Sequence, residues 1–86
     1  MTREEIDAYA DENEVPIILF DGLDEAVIGI STDDRAVYSY ERIIKVLSKD
    51  MSYEEAMEYA DFNIVGFYVE NGPIVIYEEV IWNTQI

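Results

Sequence analysis

Asp50–Tyr68, DMSYEEAMEYADFNIVGFY, is the stretch on which the fold turns. Ser52-Tyr53-Glu54-Glu55 is a capping box, in which hydroxyl and carboxylate satisfy the free N–H groups of a helix start reciprocally. Tyr53, Ala56, Met57, Ala60 and Ile64 follow at helical spacing as an apolar stripe. From Val65 the period changes, and Val65-Gly66-Phe67-Tyr68-Val69 reads as a strand. A capped helix running into a strand predicts an α+β domain.

The flanks extend this reading upstream. Tyr40, Ile43, Ile44 and Leu47 form a second core-facing stripe, with Ser39 as N-cap and Glu41 in the first turn. The link Lys49-Asp50-Met51 is short enough to predict an αα-hairpin. Arg42, Lys45 and Lys49 read as the solvated face of the earlier helix. At the N-terminus, Thr2-x-x-Glu5 is another capping box, and Pro16 disfavours helix at Val15, so a helix should end by about Asn13.

Val15–Phe20, VPIILF, is unbroken in apolarity and reads as a strand buried on both faces. Ala26–Ile30 is a second strand, with a bulge or close approach at Gly29, and Ala36–Tyr38 a third. Asp21–Glu25 and Ser31–Arg35 are the turns between them. Ile74–Tyr77 would pair with residues 65–69 through a loop at Asn71-Gly72, loosened by Pro73. The expectation is a mainly antiparallel sheet of about five short strands, an N-terminal helix and a central αα-hairpin. Residues 1–14 form the acidic helix, 15–77 the core, and 78–86 a tail that either adds a strand or binds a partner.

Eighty-six residues make one domain, and a domain of this size buries roughly 60–65% of its unfolded surface. There is no Cys and no His, which removes disulfides, thiol nucleophiles, the commonest general base and the commonest zinc ligand. The longest apolar run, Val15–Phe20, is far short of the roughly 20 residues that span a bilayer. The start MTREE lacks the basic and apolar regions of a signal peptide, so a cytoplasmic protein is expected.

Charge is the loudest property. Twenty Asp and Glu stand against five Lys and Arg, a net charge of −15. Residues 1–25 hold nine acids and one base, residues 26–49 three acids and four bases, and residues 50–86 eight acids and no base. Such a field repels nucleic acid and anionic membranes and attracts basic proteins. Disorder does not fit a chain this rich in Ile, Val and Tyr.

Asp21-Gly22-Leu23-Asp24-Glu25-Ala26-Val27-Ile28-Gly29 matches a D-G-[FL]-D-[DE]-A-x-I-G pattern. Met51-Ser52-Tyr53-Glu54-Glu55-Ala56 and Phe62-Asn63-Ile64-Val65-Gly66-Phe67-Tyr68 continue it, as does Pro73-Ile74. Over about Asp21–Ile76 the chain resembles a family of small acidic proteins carried by tailed bacteriophages and some bacteria. The resemblance implies a phage-type accessory protein in a bacterial host cytoplasm. It carries over no catalytic residue.

On the second hairpin helix, Glu54, Glu58 and Asp61 fall in one band opposite the apolar stripe, with Glu55 beside it. Like charges at i, i+4 cost roughly 0.2–0.5 kcal/mol per pair, so helix stability does not explain this face. It is either a solubilising surface or a row of carboxylates imitating nucleic-acid phosphates. Asp7, Asp11, Glu12 and Glu14 extend the acid set, and Trp82 in the tail is the best apolar contact. Tyr38, Tyr40 and Tyr53 are expected at the core edge with their hydroxyls in water. Tyr68, Tyr77 and Trp82 offer a patch for a homodimer or a target.

Asp21, Asp24, Glu25, Asp33 and Asp34 are the residues from which a hard-cation site would be built, but turn chemistry explains them and EF-hand spacing is absent. No metal or cofactor is expected. With no phosphate loop, nucleophile elbow or His, neither is an enzyme. The sequence therefore points to an acidic inhibitor that binds a basic, nucleic-acid-binding host protein, such as a defence nuclease, CRISPR effector or transcription factor. The alternative is an assembly adaptor that works through its apolar C-terminal region.

Overall fold

The computed structural model describes residues 1–78. Helix α1 (Arg3–Asn13) leads to β1 (Val27–Ile30) and β2 (Ala36–Ser39), followed by α2 (Tyr40–Leu47), α3 (Tyr53–Ala60) and β3 (Ile74–Ile76). A single 3-10 turn, Asp24–Ala26, precedes β1, and a π-helical turn, Asp61–Val65, extends α3. Among the described residues no helix is long and apolar enough to cross a membrane.

The helix starts follow the local chemistry of the sequence. Thr2 and Ser52 each complete a capping box, with Glu5 and Glu55 returning the bond to the cap N–H. Ser39 caps α2 by accepting from the Arg42 N–H. Helix α1 stops at Asn13, and Glu14 takes a left-handed conformation at φ 54°. The expected irregularity at Gly29 is present as a register shift between Val27 and Gly29 in the β1–β2 pair.

The sheet departs from expectation. It has three strands in the order β1-β2-β3, not about five, and it is mixed: β1 pairs antiparallel with β2, whereas β3 pairs parallel with it. The αα-hairpin is the crossover that makes this possible. Parallel neighbours need a connection of a dozen or more residues, and α2 and α3 supply it between Ser39 and Ile74.

Val15–Phe20 is not a strand. Its burial alternates: Ile17, Leu19 and Phe20 pack against the core, while Pro16 and Ile18 are exposed. One face is buried, not two, and β2 already has neighbours on both edges. The segment is tied down by a side chain instead, because the Phe20 N–H donates to the Tyr38 hydroxyl at 2.8 Å. Tyr38 is therefore fully buried, hydroxyl included, rather than placed at the core edge.

Residues 65–69 are not a strand either, so the helix does not hinge into the sheet. The π-helical turn carries the chain on to Val65, and the Phe67 N–H closes it on the Ile64 carbonyl. No hairpin forms at Asn71-Gly72. Asn71 takes the left-handed region at φ 63°, and a Cβ at Gly72 would lie 2.7 Å from Val69 Cγ2. The Gly72 carbonyl accepts from Arg35 Nε at 2.7 Å, which sets the start of β3 beside the β1–β2 turn. A hydrophobic period detects the apolar residues of this segment but not which strand they join.

Ile6, Leu23, Val27, Tyr38, Ile43 and Ile44 form the buried centre with five smaller or peripheral residues, among them Ala56 and Ala60. The two alanines, one helical turn apart and fully buried, let α3 lie close on α2. Of the tail, Glu78 is described, whereas Trp82 and the other residues of 79–86 lie outside the described residues.

Candidate partner-binding surface

Helix α3 buries Ala56 and Ala60 and continues to Ile64, so its opposite face belongs to solvent. Glu54, Glu55 and Glu58 are exposed there, with Asp61 at the junction with the π-helical turn. Glu55 is partly committed, since its Oε1 accepts from the Ser52 N–H at 3.2 Å. That backbone bond, helped by the Ser52 hydroxyl, holds its carboxyl below the ordinary glutamate value. Asp61 Oδ1 accepts from the Tyr40 hydroxyl at 3.0 Å.

The bases are deployed elsewhere. Arg3 reaches Asp7 at 3.4 Å and Asp24 at 3.5 Å, and Arg35 reaches Asp33 at 3.8 Å. Arg42 pairs with Glu78 and Lys49 with Glu25, both at 3.1 Å. Lys45 has no ion-pair partner among the described residues. None of these cations reaches the α3 face. Surface pairs of this kind contribute at most about 1 kcal/mol each, but their placement decides where charge is left uncompensated.

The α1 acids are a separate set. Asp7 is partly neutralised by Arg3, Asp11 and Glu12 are exposed, and Glu14 occupies the helix C-cap. Helix α1 is held through buried Ile6, through the Met1 ammonium on the Val27 carbonyl and through Tyr9, whose hydroxyl donates to Asp34 at 2.5 Å. That hydrogen bond, with burial, raises the Tyr9 pKa. Helix α3 is instead held on α2 and Tyr40. Among the described residues no hydrogen bond or ion pair joins the α1 acids to those of α3.

Four of the five turn acids are occupied within the fold, and Asp21 is exposed. Asp24 faces Arg3, Glu25 faces Lys49, Asp33 accepts from the Ser31 hydroxyl, and Asp34 accepts from Tyr9. Among the described residues no three acids converge on a point where a metal would sit.

One component of the surface escaped the sequence reading. Phe62 is 85% exposed and Tyr68 84%. Tyr68 was expected on a strand and in a contact patch with Tyr77 and Trp82, whereas Phe62, the component that was missed, was placed only within a motif. Its position was nevertheless legible: two residues past Ala60 and two before Ile64, it falls opposite the apolar stripe. With Met51, Glu55, Glu58, Tyr59 and Asn63, Phe62 lines an open hollow of about 550 Å³. Carboxylates and aromatic rings thus share one face. No family model, curated protein or solved structure matches the chain.

Proposed function

We propose that this protein is a small acidic inhibitor that binds a basic, nucleic-acid-binding protein by presenting carboxylates in place of phosphates. The observation that carries the reading is the α3 face: Glu54, Glu58 and Asp61 stand in solvent beyond the reach of any cation among the described residues. From Glu54 to Asp61 the helix rises about 10 Å, at 1.5 Å per residue. With Glu55, four carboxylates lie along that rise, roughly one per 3.5 Å, close to the 3.4 Å between charges along one nucleic-acid strand. Phe62 adds a ring beside them, as bases accompany phosphates. The phage-family resemblance supports a host defence or transcription protein as target.

The test is a pull-down from bacterial lysate across a salt gradient, with the retained protein then challenged by oligonucleotide. A nucleic-acid-binding protein should be retained at low salt and displaced by the oligonucleotide. Glu54→Gln with Glu58→Gln and Asp61→Asn should weaken its retention. Retention that ignores both oligonucleotide and these substitutions refutes mimicry.

The exposure of Phe62 and Tyr68 favours a second reading, an adaptor that docks through apolar contacts. It differs in its signature: binding would be insensitive to salt and lost on Phe62→Ala.

A further inference from the structure

Between the starts of α2 and α3 and the end of β3 lies a pocket of about 360 Å³, lined by Tyr40, Tyr53, Tyr77, Ile44 and Glu41. Its lining consists of three phenol rings, one carboxylate and one buried aliphatic side chain. The rings of Tyr40 and Tyr77 stand 5.1 Å apart and inclined at 58°, so they form two walls rather than a stack. The phenols are close enough to influence one another. The Tyr40 pKa is pushed up to about 12, first by burial, then by its bond to Asp61 and that residue's charge, and last by Tyr77 and Tyr53.

Glu41 lines the same half-open pocket. Burial pushes its carboxyl up, but donation from the Glu78 N–H, from its own N–H and from Ser39 outweighs this and holds it below the ordinary value. It is therefore an anion at neutral pH. The Glu78 N–H and the Ser39 hydroxyl both donate to Oε1, which leaves Oε2 outside both bonds. The nearest base along α2, Arg42, is turned to Glu78 at 3.1 Å and does not line the pocket.

We propose that this pocket is an aromatic cage for an alkylammonium group. Ring faces carry negative quadrupole density and attract a cation placed within about 6 Å of their centroids. A half-open pocket of tyrosines with one carboxylate suits an organic cation better than a neutral group of the same shape. Its volume falls at the small end of the roughly 300–1,000 Å³ of ligand pockets, enough for an ammonium head and part of its stem. The group comes either from a lysine side chain of a bound protein or from a free quaternary amine. The site touches the α3 face through the Tyr40–Asp61 bond, but Glu41 and Tyr77 lie outside the carboxylate row, so substitutions there test it separately from nucleic-acid mimicry.

The experiment follows the tyrosine ring signals by NMR while titrating choline, its neutral isostere 3,3-dimethylbutan-1-ol, and the blocked amides of lysine and trimethyllysine. Choline should shift the rings of Tyr40, Tyr53 and Tyr77 saturably, with the neutral isostere at least about fivefold weaker. Tyr77→Leu and Tyr53→Leu remove exposed side chains, so the fold survives both, and each should weaken choline binding by a similar factor. Glu41→Gln should weaken choline but not the isostere. Tighter binding of the lysine amide identifies a protein side chain as the source; preference for choline and trimethyllysine identifies a quaternary amine. Equal binding of choline and its isostere, no saturable binding, or an unchanged Tyr77→Leu variant overturns the proposal.

Discussion

Tyr38→Phe isolates the contact that replaces a strand ladder in this fold. The substitution keeps the ring, which lies fully buried 4.9 Å from that of Phe20, and removes only the oxygen that accepts the Phe20 N–H at 2.8 Å. Leaving a buried donor unsatisfied costs about 1–3 kcal/mol. Phe20 is half-buried, so water recovers part of that loss and the lower half of the range, about 1–2 kcal/mol, is expected. With a urea m-value near 1 kcal/mol/M for a domain this small, the midpoint should fall by roughly 1–2 M at constant m. Thermal midpoints should drop by about 4–16 °C. Hydrogen exchange at the Phe20 amide should accelerate selectively, ahead of any amide in β2. A midpoint within about 0.2 M of the parent, with Phe20 still protected, would show that residues 15–20 are held by backbone pairing and that the strap is misassigned.

Glu58→Gln removes a charge with acidic neighbours at i−4, i−3 and i+3 and should stabilise the fold by roughly 0.5–1 kcal/mol at low salt, the gain fading as salt rises; a loss of stability in urea titrations would mean that Glu58 has a structural partner. Ser52→Ala should cost about 1 kcal/mol by removing the α3 cap, read as a lower urea midpoint. Because the folded state holds the Glu55 carboxyl below its ordinary value of 4.5, that group's contribution is present above pH 4.5 and lost as pH falls through the folded pKa. The variant should therefore show a shallower acid dependence over that interval. Tyr40, pushed up to about 12 from 10.0, has the opposite dependence: its contribution is complete below pH 10 and lost as pH rises towards 12. Difference absorbance should show Tyr40 ionising late together with Tyr9 and Tyr38, whose pKa values are also raised, and Tyr40→Phe should remove one phenol's amplitude from the late step. Arg35→Met frees the Gly72 carbonyl and should loosen β3 before β1, seen as faster exchange at residues 74–76.

Legibility in the sequence followed the range of the physics involved. Capping boxes at Thr2 and Ser52 and the cap at Ser39 are satisfied within three residues. They were readable because nothing distant competes with them. The stripe through Ala56, Ala60 and Ile64 located both the buried face of α3 and, by opposition, its acidic one. Net charge and its segregation belong to the sequence outright. The same local signals misled where apolar residues had more than one way to be buried. Val15–Phe20 looked like a strand because continuity of apolar residues cannot distinguish burial by sheet neighbours from burial under a strap. Ile74–Ile76 was identified as a strand but assigned the wrong partner.

The candidate sites divide along the same line. Glu54, Glu55, Glu58 and Asp61 share a face through helical geometry alone, so the sequence by itself determined that surface and its charge. What only the tertiary structure decided is which charges are cancelled and which rings meet. Arg42 and Glu78 stand 36 residues apart in sequence, and Lys49 and Glu25 stand 24 apart. Tyr40 and Tyr77 come together because β3 returns parallel to β2 and brings its end to the start of α2. Pairing across the sheet is a long-range choice, set by which edges remain open once the helices have packed. No period within a single segment encodes it.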